Sequence, residues 1–71
     1  MMNDINIELS IIAPLYNEEE SVGLLYKKIK EAADSINKSY EIIFIDDGSS
    51  DDTFERARLL AKDDNLLKVI Y

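Results

Sequence analysis

Two short polar stretches hold the residue types that could do chemistry. One is Pro14, Leu15, Tyr16, Asn17, Glu18, Glu19, Glu20; the other runs Asp46, Asp47, Gly48, Ser49, Ser50, Asp51, Asp52, Thr53. Adjacent carboxylates at Asp46 and Asp47 can accept hydrogen bonds from ribose hydroxyls or from the N–H edge of a nucleobase. Gly48 permits a positive φ or the close approach of a ligand. Tyr16, placed two residues after the rigid Pro14, offers a ring that can pack on a planar base while its hydroxyl stays in water. Each feature also has a plainer reading. Asp, Gly and Ser make an ordinary strand-to-helix turn with a good cap, although capping needs only one of two adjacent acids. Tyr16 can fold back on the following helix as a staple, and Glu18, Glu19 and Glu20 suit the positive end of a helix dipole. Asp51 and Asp52 fall where a helix start favours acids, so they read as capping-loop residues and not as metal ligands.

Composition removes most other chemistries. The chain has 71 residues, 15 acidic and 8 basic, with a formal net charge of -7 and neither His nor Cys. Disulfides, thiol nucleophiles, imidazole bases and Cys- or His-ligated metals are therefore excluded, which leaves carboxylates, hydroxyls and oxygen-held cations. The acidic balance argues against nucleic acid or an anionic membrane as a partner reached by charge attraction, and an anionic ligand would need a bridging cation. No stretch approaches the roughly 20 apolar residues of a membrane span, and the acidic N-terminus lacks the basic and apolar regions of a leader, so the reading is cytoplasmic. A chain this short buries only about 60% of its unfolded surface, so it needs staples or partners.

The elements that must position the two loops follow from periodicity. Leu9 to Ala13 is a short apolar run that stops at Pro14, as expected for a strand buried on both faces whose ladder proline ends. From Glu18 to about Ile36, Val22, Leu25, Ile29, Ala32, Ala33 and Ile36 form one helical stripe, with Asn17 as the cap and Glu20 completing a capping box. Lys27, Lys28 and Lys30 fall where solvated charge is expected. Tyr40 to Ile45 is a second strand, about Asp52 to Lys62 a second helix with Phe54, Ala57, Leu60 and Ala61 inward, and Leu66 to Tyr71 a third strand. Ser50 or Asp51 reads as the cap of the second helix, Tyr26 and Tyr40 as packing residues, and Asp63, Asp64 and Asn65 as a turn. The order β-α-β-α-β predicts an α/β parallel sheet with right-handed crossovers, the first half of a doubly wound nucleotide-binding fold. Both polar loops then follow strand carboxyl ends and share one rim. No Gly-x-Gly-x-x-Gly or Gly-x-x-x-x-Gly-Lys-Ser/Thr is present, and no Lys or Arg waits there for a phosphate.

The runs Ser10 to Glu20 (SIIAPLYNEEE) and Tyr40 to Thr53 (YEIIFIDDGSSDDT) resemble the N-terminal part of family 2 glycosyltransferases of the GT-A fold. The likeness runs from about Leu9 to Tyr71 and is nearest to the branch that holds dolichyl-phosphate mannose synthase and the bactoprenol glucosyltransferases. It implies that Pro14 and Tyr16 line a base pocket and that Glu18 and Asp47 contact base or ribose. Ile45 would supply an apolar wall, and Asp46 would shape the rim. It further implies an NDP-sugar donor, transfer with inversion to a lipid-phosphate or glycan acceptor such as polyprenyl phosphate, and Mg²⁺ or Mn²⁺ on the diphosphate. Members of that branch carry membrane spans or amphipathic helices downstream, which would put the whole protein at the cytoplasmic face of the membrane.

The family's Asp-x-Asp metal motif and its catalytic acid lie on later segments. Residues 1–71 are thus expected to be a truncated nucleotide-binding part, inactive alone, with cation ligands outside the chain and no catalytic or metal residue within it. Two rivals belong to other classes. One is a stand-alone interaction module that oligomerises through the edge strand Leu66 to Tyr71. The other is a receiver-type acidic domain, which would need an acceptor Asp on another strand and a later Lys.

Overall fold

The computed structural model describes residues 7–71, so part of the acidic N-terminal stretch lies outside the described residues. Its elements are β1 (Leu9–Leu15), α1 (Val22–Ile36), β2 (Tyr40–Asp46), α2 (Thr53–Lys62) and β3 (Leu67–Ile70). The strands form one parallel sheet in the order β1-β2-β3. Leu9 pairs with Tyr40 and Leu15 with Asp46, while Ile42 pairs with Leu67 and Ile45 with Ile70. This is the predicted β-α-β-α-β unit.

Pro14 does not end the first strand. It pairs with Ile45, and Leu15 continues the ladder. Hydrogen bonds place the reason: the Leu9 N–H donates to the Ser39 carbonyl, and the Leu15 carbonyl accepts from the Asp47 N–H, both toward β2. Residues of even number on β1 therefore turn their backbone groups to the open edge, where the missing N–H of Pro14 breaks nothing.

The sheet is covered on one face. Leu15, Ile42, Phe44 and Leu67 from the strands meet Val22 and Ala33 of α1 and Ala57 of α2 in the core. Ile42 and Phe44 are fully buried, each contributing about 2–3 kcal/mol through lost apolar surface. The opposite face carries Ser10, Ile12, Pro14, Glu41, Ile43, Ile45, Lys68 and Ile70, with Ile12 61% and Ile70 53% exposed. Burial on both faces, expected from the apolar runs, is thus not met within the described residues. Right-handed crossovers in the order β1-β2-β3 return both helices to the same side.

Helix starts differ from expectation as well. Helix α1 begins at Val22 with Ser21 at its N-cap, after a turn in which the Ser21 and Val22 N–H groups donate to the Glu18 carbonyl. Ala32 and Ile36, expected on the inner stripe, are exposed. Lys30 is not a solvated charge but pairs with Asp64 at 3.0 Å. Among the described residues no helix is long and apolar enough to cross a membrane.

Candidate functional site

The two loops that follow β1 and β2 are laced together. The Asp47 N–H donates to the Leu15 carbonyl at 2.9 Å, which carries the β-ladder one residue past the strand. Beyond it the Asn17 N–H donates to Ser49 Oγ at 2.9 Å, and Asn17 Oδ1 accepts from the Ser50 N–H at 2.8 Å. The Glu18 N–H donates to Thr53 Oγ1 at 2.6 Å. The Asp52 N–H donates to Glu19 Oε1 at 3.1 Å and the Glu19 N–H to Asp51 Oδ2 at 3.3 Å, a reciprocal exchange between chain segments 33 residues apart.

These contacts reassign several side chains. Asn17 does not cap α1. Its φ of 50° is left-handed, a conformation asparagine tolerates better than most residues, and its amide serves the other loop. The N-cap of α2 is Asp52, not Ser50 or Asp51, and its side chain makes no cap hydrogen bond. Asp51 instead accepts from the N–H and hydroxyl of Thr53, and Glu19 serves the Asp52 N–H, so the helix start is capped partly by the preceding loop. Burial opposes ionisation of Asp51, but the Thr53 hydroxyl and the N–H groups of Thr53 and Glu19 outweigh it and hold its carboxyl below the usual range. Thr53 was not singled out from the sequence. It is fully buried, accepting from Glu18 and donating to Asp51, and only its place beside a polar loop hinted at more than helix propensity.

The side chains predicted for the rim divide by position. Asp46, 3% exposed, turns inward, where it accepts from the Ser49 N–H at 3.2 Å and from the Ser49 hydroxyl. Asp47 is exposed, and among the described residues its carboxylate has no hydrogen-bond or ion-pair partner. Gly48 follows with φ +80° and open space where a Cβ would stand. Tyr16 is 58% exposed, with no aromatic partner among the described residues. Glu18 is half-buried and spends Oε1 on the Tyr16 N–H at 2.9 Å, which fixes the turn carrying Tyr16. Pro14 and Ile45 are register partners on the uncovered sheet face, at its rim end.

Together these residues form an open shelf with an apolar side, an exposed ring and an unpaired carboxylate. The larger of two concavities, about 510 Å³, lies elsewhere, between the helices at Val22, Gly23, Tyr26, Leu59 and Leu60. The smaller, about 470 Å³, opens beside Asn17, Glu20, Ser21 and Asp51. Glu18 lines the smaller one, while neither is lined by Tyr16 or Asp47. Among the described residues no group of three or more acidic side chains is gathered so as to hold a metal ion by itself.

The opposite end of the sheet holds a second polar group. Asp64 Oδ2 accepts from the Tyr26 hydroxyl and from Lys30 Nζ at 3.0 Å, and its Oδ1 accepts from the Leu66 N–H at 2.9 Å. Tyr40 Oη donates to Asp34 Oδ1 at 2.8 Å, and Lys30 Nζ lies 5.8 and 5.7 Å from the ring centres of Tyr26 and Tyr40. The hydrogen bond to Asp64 pushes the Lys30 ammonium well above its ordinary value. Burial opposes charge on Asp64, but its donors prevail and lower its pKa.

Comparison with known proteins places the chain in context. The pattern of the family described as glycosyl transferase family 2 matches residues 10–71. An undecaprenyl-phosphate 4-deoxy-4-formamido-L-arabinose transferase of Edwardsiella ictaluri is 44% identical over 54 residues, 76% of this chain and 17% of that protein. An uncharacterized glycosyltransferase of Bacillus subtilis is 37% identical over 65 residues, 92% of this chain and 20% of its own length. A dodecaprenyl-phosphate galacturonate synthase of Rhizobium johnstonii is 43% identical over 53 residues, 75% of this chain and 16% of that protein. The chain therefore spans about a fifth or less of the curated relatives it matches.

Proposed function

The chain belongs to glycosyl transferase family 2, and from that premise we propose that its rim is the nucleotide-recognition part of an enzyme that passes a sugar from an NDP-sugar to polyprenyl phosphate. The observation that carries this is the Asp47 carboxylate, exposed and without a hydrogen-bond or ion-pair partner among the described residues, just past the end of β2 and beside the open backbone of Gly48, while Asp46 and Asp51 of the same loop are engaged by its own frame. Its two oxygens accept from ribose hydroxyls or from a base N–H. Tyr16 packs on the base plane, Pro14 and Ile45 wall its apolar edge, and Glu18 Oε2 remains for a further donor. Asp46 holds the Ser49 turn beneath.

The acceptor assignment rests on two relatives, the undecaprenyl-phosphate 4-deoxy-4-formamido-L-arabinose transferase and the dodecaprenyl-phosphate galacturonate synthase. A polyprenyl acceptor resides in a membrane, so the working site faces a membrane surface, and we place it on the cytoplasmic side. Inversion at the sugar and a divalent cation on the diphosphate complete the reading. In this reading the cation ligands and the catalytic acid are supplied by other segments of the enzyme, and the nucleotide-binding part is inactive alone.

Titration with the diphosphates of uridine, guanosine, adenosine and cytidine, followed by amide chemical shifts, tests this. One nucleotide should shift Tyr16, Asp47 and Gly48, with binding strongly weakened in Asp47→Ala; shifts that ignore the base or miss the rim would overturn it. A second reading, association of copies without nucleotide, is favoured by the uncovered sheet face bearing Ile12 and Ile70 and by the open β3 edge. A concentration-dependent dimer indifferent to nucleotide in gel filtration would select it.

A further inference from the structure

We infer that Asn17 is a positioning residue for Asp47, an inference that rests on the nucleotide reading of the rim. The Asp47 side chain has no hydrogen-bond or ion-pair partner among the described residues, and the chain is held on either side of Asp47 and Gly48. Before it, Asp46 is buried and the Asp47 N–H is bonded to Leu15. After it, Ser49 and Ser50 are held by Asn17, through the Asn17 N–H on Ser49 Oγ and Asn17 Oδ1 on the Ser50 N–H. Ser49 Oγ also donates to Asp46, so one chain of hydrogen bonds runs from Asn17 through Ser49 back to the residue preceding Asp47.

Asn17 adopts φ 50°, and this conformation directs both its N–H and its amide at the second loop. A residue 30 positions earlier in sequence thus fixes where the free carboxylate stands. Prior fixing matters because a loop ordered before binding spares the ligand the entropy of ordering it.

The test separates the backbone conformation from the amide. Asn17→Gly keeps the left-handed conformation without strain and the backbone N–H on Ser49 Oγ, and removes the side-chain amide that holds Ser50, so the fold is retained. In that variant the Gly48, Ser49 and Ser50 amides should exchange faster with solvent, and the nucleoside diphosphate that binds the unaltered chain should bind about fivefold more weakly. The same change made in the Asp47→Ala chain should weaken binding by less than about twofold, because the group that Asn17 positions is gone. Equal binding of Asn17→Gly and the unaltered chain would overturn the inference and leave the nucleotide reading intact. Additive losses in the double variant would overturn it too, since Asn17 would then act without Asp47. If the unaltered chain binds none of the diphosphates, the nucleotide reading fails and this inference with it.

Discussion

The two ends of the sheet are both rich in acids, yet they treat them in opposite ways. At the far end Asp64 is answered by an ammonium, a phenol and a backbone N–H, and the rings of Tyr26 and Tyr40 flank the cation. At the rim the carboxylates of Asp46, Asp51, Glu18 and Glu19 accept mainly from backbone N–H groups and hydroxyls, and the one cation nearby, Arg56, stands 3.9 Å from Glu19. Asp64 has both carboxylate oxygens engaged, while at the rim the exposed carboxylates of Asp47, Glu20 and Asp52 have no hydrogen-bond or ion-pair partner among the described residues, and of these Asp47 directly follows a strand. A polar cluster with its partners present rigidifies a fold; a carboxylate left open is available to something outside it.

The contrast can be broken most severely at Thr53. Thr53→Val leaves the Glu18 N–H without an acceptor inside the packed rim and should cost about 2 kcal/mol in urea unfolding, with nucleotide binding weakened at the same time. Asp64→Ala strips Tyr26, Lys30 and the Leu66 N–H of their shared partner and should cost about 1–2 kcal/mol, but nucleotide binding should stay unchanged. A parallel loss of binding there would show that the two ends are not independent.

Acid unfolding sharpens the same point. The folded Asp64 carboxyl is depressed, so its contribution is complete above the ordinary carboxylate value of about 3.9 and is lost as pH falls through the lower folded value. The unfolding midpoint of Asp64→Ala should therefore fall less steeply below about pH 4 than that of the unaltered chain. Lys30 and Tyr26 are raised, and their contribution is complete below about pH 10 and lost above it.

Asp47→Ala inverts the pattern, with binding reduced about tenfold or more and stability unchanged within about 0.5 kcal/mol, since the carboxylate contacts nothing in the free chain. Least of all, Arg58→Ala should leave both unfolding and binding where they are, because its pair with Glu55 is solvent-exposed.

Much of this was legible beforehand. Continuous apolar runs at Leu9 to Ala13 and Tyr40 to Ile45, and the helical stripe between them, specified the parallel β-α-β-α-β order and hence a shared rim for the two polar loops. Tyr16 and Asp47 stand just past the ends of β1 and β2, where the strand order puts a rim, whereas Asp46, expected beyond the strand, is the last residue of β2. What misled was local chemistry. Asn17 and Glu20 have the spacing of a capping box, but a donor on the other loop competes for Asn17 and wins. Pro14 has the character of a strand breaker, but its orientation on an edge strand removes the cost. Lys30 and Asp64 lie 34 residues apart, and no pattern along the chain announces a pair formed by α1 packing beside the turn before β3.

The division has one physical origin. Burial of apolar surface is periodic along the chain, so residue order alone determined the elements, their parallel topology and the location of the rim. Hydrogen bonding between side chains and distant backbone has no period. Tertiary structure alone decided that Asp46 is spent inward while its neighbour Asp47 is left without a partner among the described residues, and that Asn17 and Thr53 bind two loops into one surface.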